Sequence, residues 1–207
     1  IQEIIKFKKP IILSTGMNDL KSIKKTVDIL KRGKAKFALL HCISEYPADV
    51  KKLKLDFIGV LKKTFPNIVI GYSDHAKGVI PSISAMAKGA SIIEKHFTDT
   101  KKRAGPDIIC SMDPKELKFL KESANEIFHS NGRNKKISNI EKITARFAFS
   151  SVVSINNIRA GELLTKKNIW VKRPGNGYFQ ANNFYTILGK KAKRFIYKNN
   201  FIKKNDV

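Results

Sequence analysis

The sequence predicts an α/β fold, a parallel sheet built from four βα units, followed by a small β-rich domain. Three observations carry this. Four short, continuous apolar runs recur through the first 130 residues, each followed by polar residues and then a helical pattern. The runs are strand-sized and unbroken, as expected of strands buried on both faces and joined by helical crossovers. Beyond a polar stretch at 131–146 the pattern changes to short β-like runs between turn residues. Four units span about 120 residues, half of what an eight-stranded (β/α)8 barrel requires. A free-standing doubly wound sheet is the alternative, and the lack of a glycine-rich fingerprint after the first strand disfavours its dinucleotide-binding form.

The elements follow in order. Ile11-Ile12-Leu13 is the first strand, and Ser14-Thr15-Gly16 leads into a helix from Asp19 to Leu30. Phe37 to Leu40 is the second strand, followed by His41-Cys42-Ile43-Ser44 and a helix from about Leu55 to Phe65. Ile68-Val69-Ile70 precedes Gly71-Tyr72-Ser73-Asp74-His75 and a helix near Ile80 to Lys88. Ala90 to Ile93 is the fourth strand, then come Glu94-Lys95-His96, a loop, and a helix from Pro114 to about Phe128. Residues 131–146 are polar and read as a linker. In 147–207 the β-like runs are Phe147 to Val153, Ile169 to Val171 and Arg194 to Tyr197, with turns such as Pro174-Gly175-Asn176-Gly177 between them.

Composition narrows the function classes. The chain has 207 residues, 42% of them hydrophobic, enough for a true core and against disorder. No apolar stretch is long enough to span a bilayer. The N-terminus has no basic-then-apolar signal peptide; it also lacks an initiating Met, so an upstream segment is expected. Cys42 and Cys110 have no CxxC spacing and read as buried, reduced thiols of a cytoplasmic protein. The net charge is +24, with 41 Lys and Arg against 17 Asp and Glu. The lysines are spread along the chain with no arginine-rich stripe, so neither nucleic acid nor membrane is the expected partner. A positive field instead favours a small anionic substrate.

Catalytic groups of parallel barrels project from the C-terminal ends of strands, and all four strands here end in polar, reactive residues. His75 and His96 follow consecutive strands, which lie about 5 Å apart in a sheet, so the two imidazoles could share one divalent ion. Glu94 alternates in register with His96 and could ligate or orient it. Two histidines with oxygen ligands and open positions suit Mn²⁺, Mg²⁺ or Zn²⁺; the plain alternative is hydrogen-bonded structural histidines. Asp107, in the loop after the fourth strand, could bind sugar hydroxyls or serve as a turn residue. Ser14, Ser44 and Ser73 could donate to a phosphate, or simply form turns.

Several segments together carry a family resemblance. Lys9-Pro-Ile-Ile-Leu-Ser-Thr-Gly-Met17, Leu40-His-Cys-Ile-Ser-Glu-Tyr-Pro47, Gly71-Tyr-Ser-Asp-His75, Ile93-Glu-Lys-His-Phe-Thr98 and Gly105-Pro-Asp-Ile-Ile-Cys-Ser-Met112 appear in order. They resemble the N-acetylneuraminate (sialic acid) synthase family. Ile158-Arg-Ala-Gly-Glu162 and Ile169-Trp-Val-Lys-Arg-Pro-Gly-Asn-Gly177 resemble that family's antifreeze-like (SAF) domain.

The resemblance implies the C-terminal half of a (β/α)8 TIM barrel over 1–130 and a SAF domain over 147–207. The family condenses phosphoenolpyruvate with N-acetylmannosamine and releases phosphate; relatives making legionaminic or pseudaminic acid accept other sugars. It further implies that His75 and His96 hold a divalent metal, usually Mn²⁺, Mg²⁺ or Co²⁺. Ser14 and Ser73 match positions that contact phosphoenolpyruvate, and at Ser44 some relatives carry Asn. Tyr46 and Asp107 match positions facing the sugar. Arg173 matches the arginine that reaches the active site of the other protomer of a homodimer. Family members carry roughly another half barrel before the segment that begins here. The chain is therefore expected to be a truncated form, inactive alone.

Overall fold

The computed structural model describes residues 1–207, which divide into two compact units, Ile1–Asn131 and Gly132–Val207.

In the first unit, a short helix α1 (Gln2–Lys6) precedes strand β1 (Ile11–Ser14) and helix α2 (Leu20–Arg32). Then come β2 (Phe37–Cys42), α3 (Phe57–Thr64), β3 (Val69–Asp74), α4 (Ile80–Ala87), β4 (Ile93–Lys95) and α5 (Pro114–Ser130). The strands pair in parallel in the order β1-β2-β3-β4. Side-chain caps set the starts of α2 and α5. Asp19 accepts from Ser22 N at the head of α2. Asp113 and Glu116 form a reciprocal capping box at α5, with Pro114 at the first turn.

Alternation along the strands decides which face the helices cover. Leu39, Ile70 and Tyr72, all buried, form one core with Ile23 and Val27 of α2, Ile58 and Leu61 of α3 and Ala85 of α4. α5 joins through Leu120, which packs with Val79, Met112 and the half-buried Ile93. The intervening positions look the other way: Ile12 is 61% exposed and Val69 49% exposed. Helices thus cover one face only. This is how βα units pack in a barrel, whereas a doubly wound sheet carries helices on both faces.

Several expectations are corrected here. α1 was not foreseen. β3 extends through Gly71 to Asp74, beyond the apolar run ending at Ile70, because its ladder to β2 continues through Ser73. The fourth strand begins at Ile93, not Ala90, because the ladder to β3 starts at Tyr72↔Ile93 and continues through Ser73↔Glu94 and Asp74↔Lys95. Glu94 and Lys95 are therefore strand residues, and His75 and His96 directly follow β3 and β4.

The second unit contains α6 (Asn139–Ala148), β5 (Ser151–Ser154), β6 (Ile169–Lys172) and a single-turn helix α7 (Phe184–Ile187). β5 and β6 are antiparallel, and their core gathers Val152, Ile158, Leu164, Ile169, Phe184, Ile187, Ala192, Ile196 and Ile202. Much of the stretch read as a linker is helical. Ser138 and Glu141 form a capping box that starts α6, and Ile140, Ile143 and Phe147 recur along it. The run Arg194–Tyr197 forms no strand; it touches the sheet region through one bridge, Ile158↔Ile196.

Candidate functional site

The C-terminal ends of β1 to β4 surround a cavity of about 460 Å³. Among the predicted residues, Ser14, Ser44, Tyr46, Ser73, His75 and His96 all line it, as do Glu94 and Cys42. The register explains the convergence: Cys42 pairs with Ser73 and Ser73 with Glu94, so one row of the sheet delivers three side chains to the same side. Gly16 allows close approach from the β1 side, since a Cβ there would collide with the Ser44 hydroxyl.

The imidazoles of His75 and His96 lie edge to face with ring centroids 5.5 Å apart. His75 Nδ1 lies 3.0 Å from the Ile43 carbonyl. A carbonyl only accepts, so Nδ1 carries a proton, and in the neutral ring Nε2 is the nitrogen with the lone pair. Tyr46 packs over both rings, with centroids 4.1 Å from His75 and 5.8 Å from His96. Burial, and then the negative groups nearby, raise the Tyr46 phenol above its usual range, so it stays protonated at neutral pH. The Ser14 hydroxyl donates to Glu94 at 3.2 Å. Glu94 thus has a hydroxyl partner, and no group of three or more His, Cys, Asp or Glu side chains is placed to hold an ion. Ser73 is only 2% exposed and lines the cavity.

Asp107 sits just outside this group. Its carboxylate is 41% exposed and 4.0 Å from His96 Nδ1. Its backbone adopts the left-handed region (φ 63°), which Asp tolerates better than most residues, and its carbonyl accepts from the Ser111 hydroxyl. It makes no side-chain cap bond to the short 3₁₀ turn that follows. Arg173 belongs to the second unit, exposed at the end of β6 before Pro174.

A group that sequence reasoning passed over lies beneath the histidines. The Lys95 ammonium and the Asp74 carboxylate form an ion pair at 3.2 Å, each side chain with no solvent exposure. Only the ladder register, which sets Asp74 opposite Lys95, reveals it.

Comparison with known proteins agrees with this picture. The NeuB family model matches residues 1–136 and the SAF domain model residues 149–207. An N,N'-diacetyllegionaminic acid synthase of Campylobacter jejuni is 38% identical over 198 residues, covering 94% of this chain and 59% of that protein. Human N-acetylneuraminate-9-phosphate synthase is 30% identical over 193 residues, covering 93% of this chain and 54% of that protein. This chain thus spans little more than half the length of these relatives. A crystal structure of a putative spore coat polysaccharide biosynthesis protein E from Chromobacterium violaceum superimposes over 99% of this chain and 62% of its own, with a TM-score of 0.70 at 25% identity. With its model match over the whole of the parallel-sheet unit, the chain belongs to the NeuB family and carries a SAF domain.

Proposed function

We infer that the chain supplies the C-terminal four βα units of an eight-stranded barrel, and that the assembled enzyme is a sialic acid synthase. It joins phosphoenolpyruvate to N-acetylmannosamine, giving N-acetylneuraminate and phosphate. The observation that carries this is the meeting of His75, His96 and Tyr46 at one cavity on the C-terminal ends of the strands. The one-sided helix layer and the exposed apolar residues Ile12 and Val69 on the opposite face support a larger barrel.

The two histidines suit a divalent ion. Imidazoles sharing one ion at about 2.1 Å have ring centres roughly 5 to 6 Å apart, and these are 5.5 Å apart. The Nδ1 bond to Ile43 fixes the tautomer that leaves Nε2 free, the usual arrangement behind a metal-bound histidine. His75 and His96 would hold Mn²⁺, or Mg²⁺ or Co²⁺, with open positions; when bound, the metal supplies Lewis acidity to the sugar aldehyde. The other roles belong to the chain's own side chains. Ser14, Ser44 and Ser73 offer hydroxyls to the phosphate and carboxylate of phosphoenolpyruvate. Tyr46 shields the histidines from water and faces the sugar, whose hydroxyls donate to Asp107. Arg173, from the other protomer of a homodimer, binds the N-acetyl group. In the reaction C3 of phosphoenolpyruvate bonds to the aldehyde carbon, water adds at C2, and the C2–O bond to phosphate breaks.

The 38% identity to a legionaminic acid synthase favours a second reading, the same chemistry on a diacetamido sugar. Phosphate release decides between them. The chain, co-expressed with the complementary half barrel of a relative, is expected to release phosphate from phosphoenolpyruvate with one amino sugar far faster than with others. His75→Ala should abolish the release. Failure of the folded, assembled pair with every amino-sugar aldehyde would sink the synthase reading.

A further inference from the structure

We propose that the buried Asp74–Lys95 pair is a positioning device that sets the spacing of His75 and His96 and the tautomer of His75; this rests on the metal-site reading above. The placement is specific. Asp74 immediately precedes His75, Lys95 immediately precedes His96, and the two face each other in the β3–β4 register.

One carboxylate gathers both flanks of His75. Asp74 Oδ1 accepts from the Ala76 backbone N–H at 2.8 Å and from the Tyr72 hydroxyl at 3.3 Å. Oδ2 accepts from the Ser82 hydroxyl of α4 at 2.6 Å and from Lys95. Lys95 Nζ also donates to the Ala76 carbonyl at 2.6 Å, so both polar groups of Ala76's main chain are held by the pair. Tyr72, Asp74, Ala76 and Ser82 all have 0% exposure. The residues on either side of His75 are therefore tied to α4 and to the residue before His96. Lys95 borders the cavity, but with its side chain fully buried and its ammonium engaged it is no free cation for a phosphate.

Directionality is the physical reason for charges here. Apolar residues of similar volume would fill the space as well and avoid desolvating two ions. They would not fix the turn 74–76 through hydrogen bonds at set angles, and ligand orientation depends on such partners. Loosening that turn shifts the His75 ring relative to the Ile43 carbonyl that selects its tautomer.

The test uses the full chain with two variants. Lys95→Met removes the ammonium alone, and Asp74→Asn/Lys95→Met removes both charges, so that no ion is left unpaired if the single variant fails to fold. Two readouts are taken on cooperatively folding protein. In the metal-free chain, long-range proton–nitrogen NMR of the histidine rings should show a single Nδ1-protonated tautomer for His75. In the variants it should show a mixture. Mn²⁺ alone, titrated by electron paramagnetic resonance, should bind at least about tenfold more weakly to the variants. A purely structural pair would lower the unfolding temperature and leave both readouts unchanged; that result overturns the proposal. If the wild-type chain takes up no Mn²⁺, the metal reading fails, and the tautomer readout alone decides the positioning role.

Discussion

The two units use their polar groups differently. In the second unit they pin main chain. The Ser151 hydroxyl donates to the Pro174 carbonyl and Ser154 to the Tyr197 carbonyl, while Asn168 donates to the Leu163 carbonyl and receives the Thr165 N–H. In the first unit some do the same, as Thr15 does with the Leu40 carbonyl, but polar groups at the strand ends also face one another and a cavity, as Ser14 does Glu94 and Tyr46 does His75. Side chains whose polar atoms all bond to backbone are spent on the fold. Those left facing a cavity are available for chemistry, so the contrast separates scaffold from site without reference to any relative.

The largest stability effects belong to the two cores and set the scale. Leu39→Ala in the first unit and Ile158→Ala in the second, both at fully buried positions, are expected to cost about 2–5 kcal/mol each. Urea unfolding followed by probes in each unit measures this.

The serines sharpen the contrast. Ser154→Ala removes the hydroxyl that donates to the Tyr197 carbonyl and accepts from the Asn200 N–H at 3.1 Å, leaving those two only their own 3.3 Å bond, and should cost about 1 kcal/mol. Ser73→Ala removes a hydroxyl from a residue that lines the cavity and should cost under about 0.5 kcal/mol, within the range of harmless substitutions, while weakening phosphoenolpyruvate binding. Equal stability losses would erase the distinction.

Acid should act on the units in sequence. All four histidines lie in the first unit. His41 is buried between Phe57 and Tyr72 with Nε2 on the Leu53 carbonyl, and burial lowers its pKa below 6.5. A lowered folded pKa means the unfolded chain binds the proton first, so this stability is complete above pH 6.5 and falls away as the pH drops. In the second unit, the Arg159 and Asn168 N–H groups lower the Glu162 pKa below 4.5, so its contribution is lost only beneath that value. Unfolding temperature against pH should fall first for the first unit, and His41→Gln should flatten that early fall.

The smallest effect is at the caps. Asp113→Ala at α5 and Ser138→Ala at α6 should each cost about 1 kcal/mol, and native-state hydrogen exchange at the first turns would register both.

Much of this was legible in the sequence, because parallel strands buried under helices read as unbroken apolar runs. β1, β2 and α2 to α5 lie close to where those runs placed them, whereas β3 runs on past Ile70 to Asp74, through residues read as following the strand. β4 was misplaced because Ala90 to Ile92 continue the apolar run although the ladder begins at Ile93. α6 carried its signal in Ser138-x-x-Glu141 and in the spacing of Ile140, Ile143 and Phe147. Those apolar residues remain 61–77% exposed in the structure, so no core demand marked them. At the site, the histidines and serines were read from their positions at strand ends, and Tyr46 only through the family resemblance. The Asp74–Lys95 pair was not, because a buried ion pair between neighbouring strands depends on register, which no single strand reveals.

The central claim is that His75 and His96 form one divalent-ion site at the strand ends. Mn²⁺ titration of the full chain by electron paramagnetic resonance, beside His75→Ala and His96→Ala, tests it most directly. The account predicts one Mn²⁺ per chain in the wild type and loss of that binding in either variant with the fold intact. Tight Mn²⁺ binding untouched by both substitutions, or none in the wild type, would contradict it.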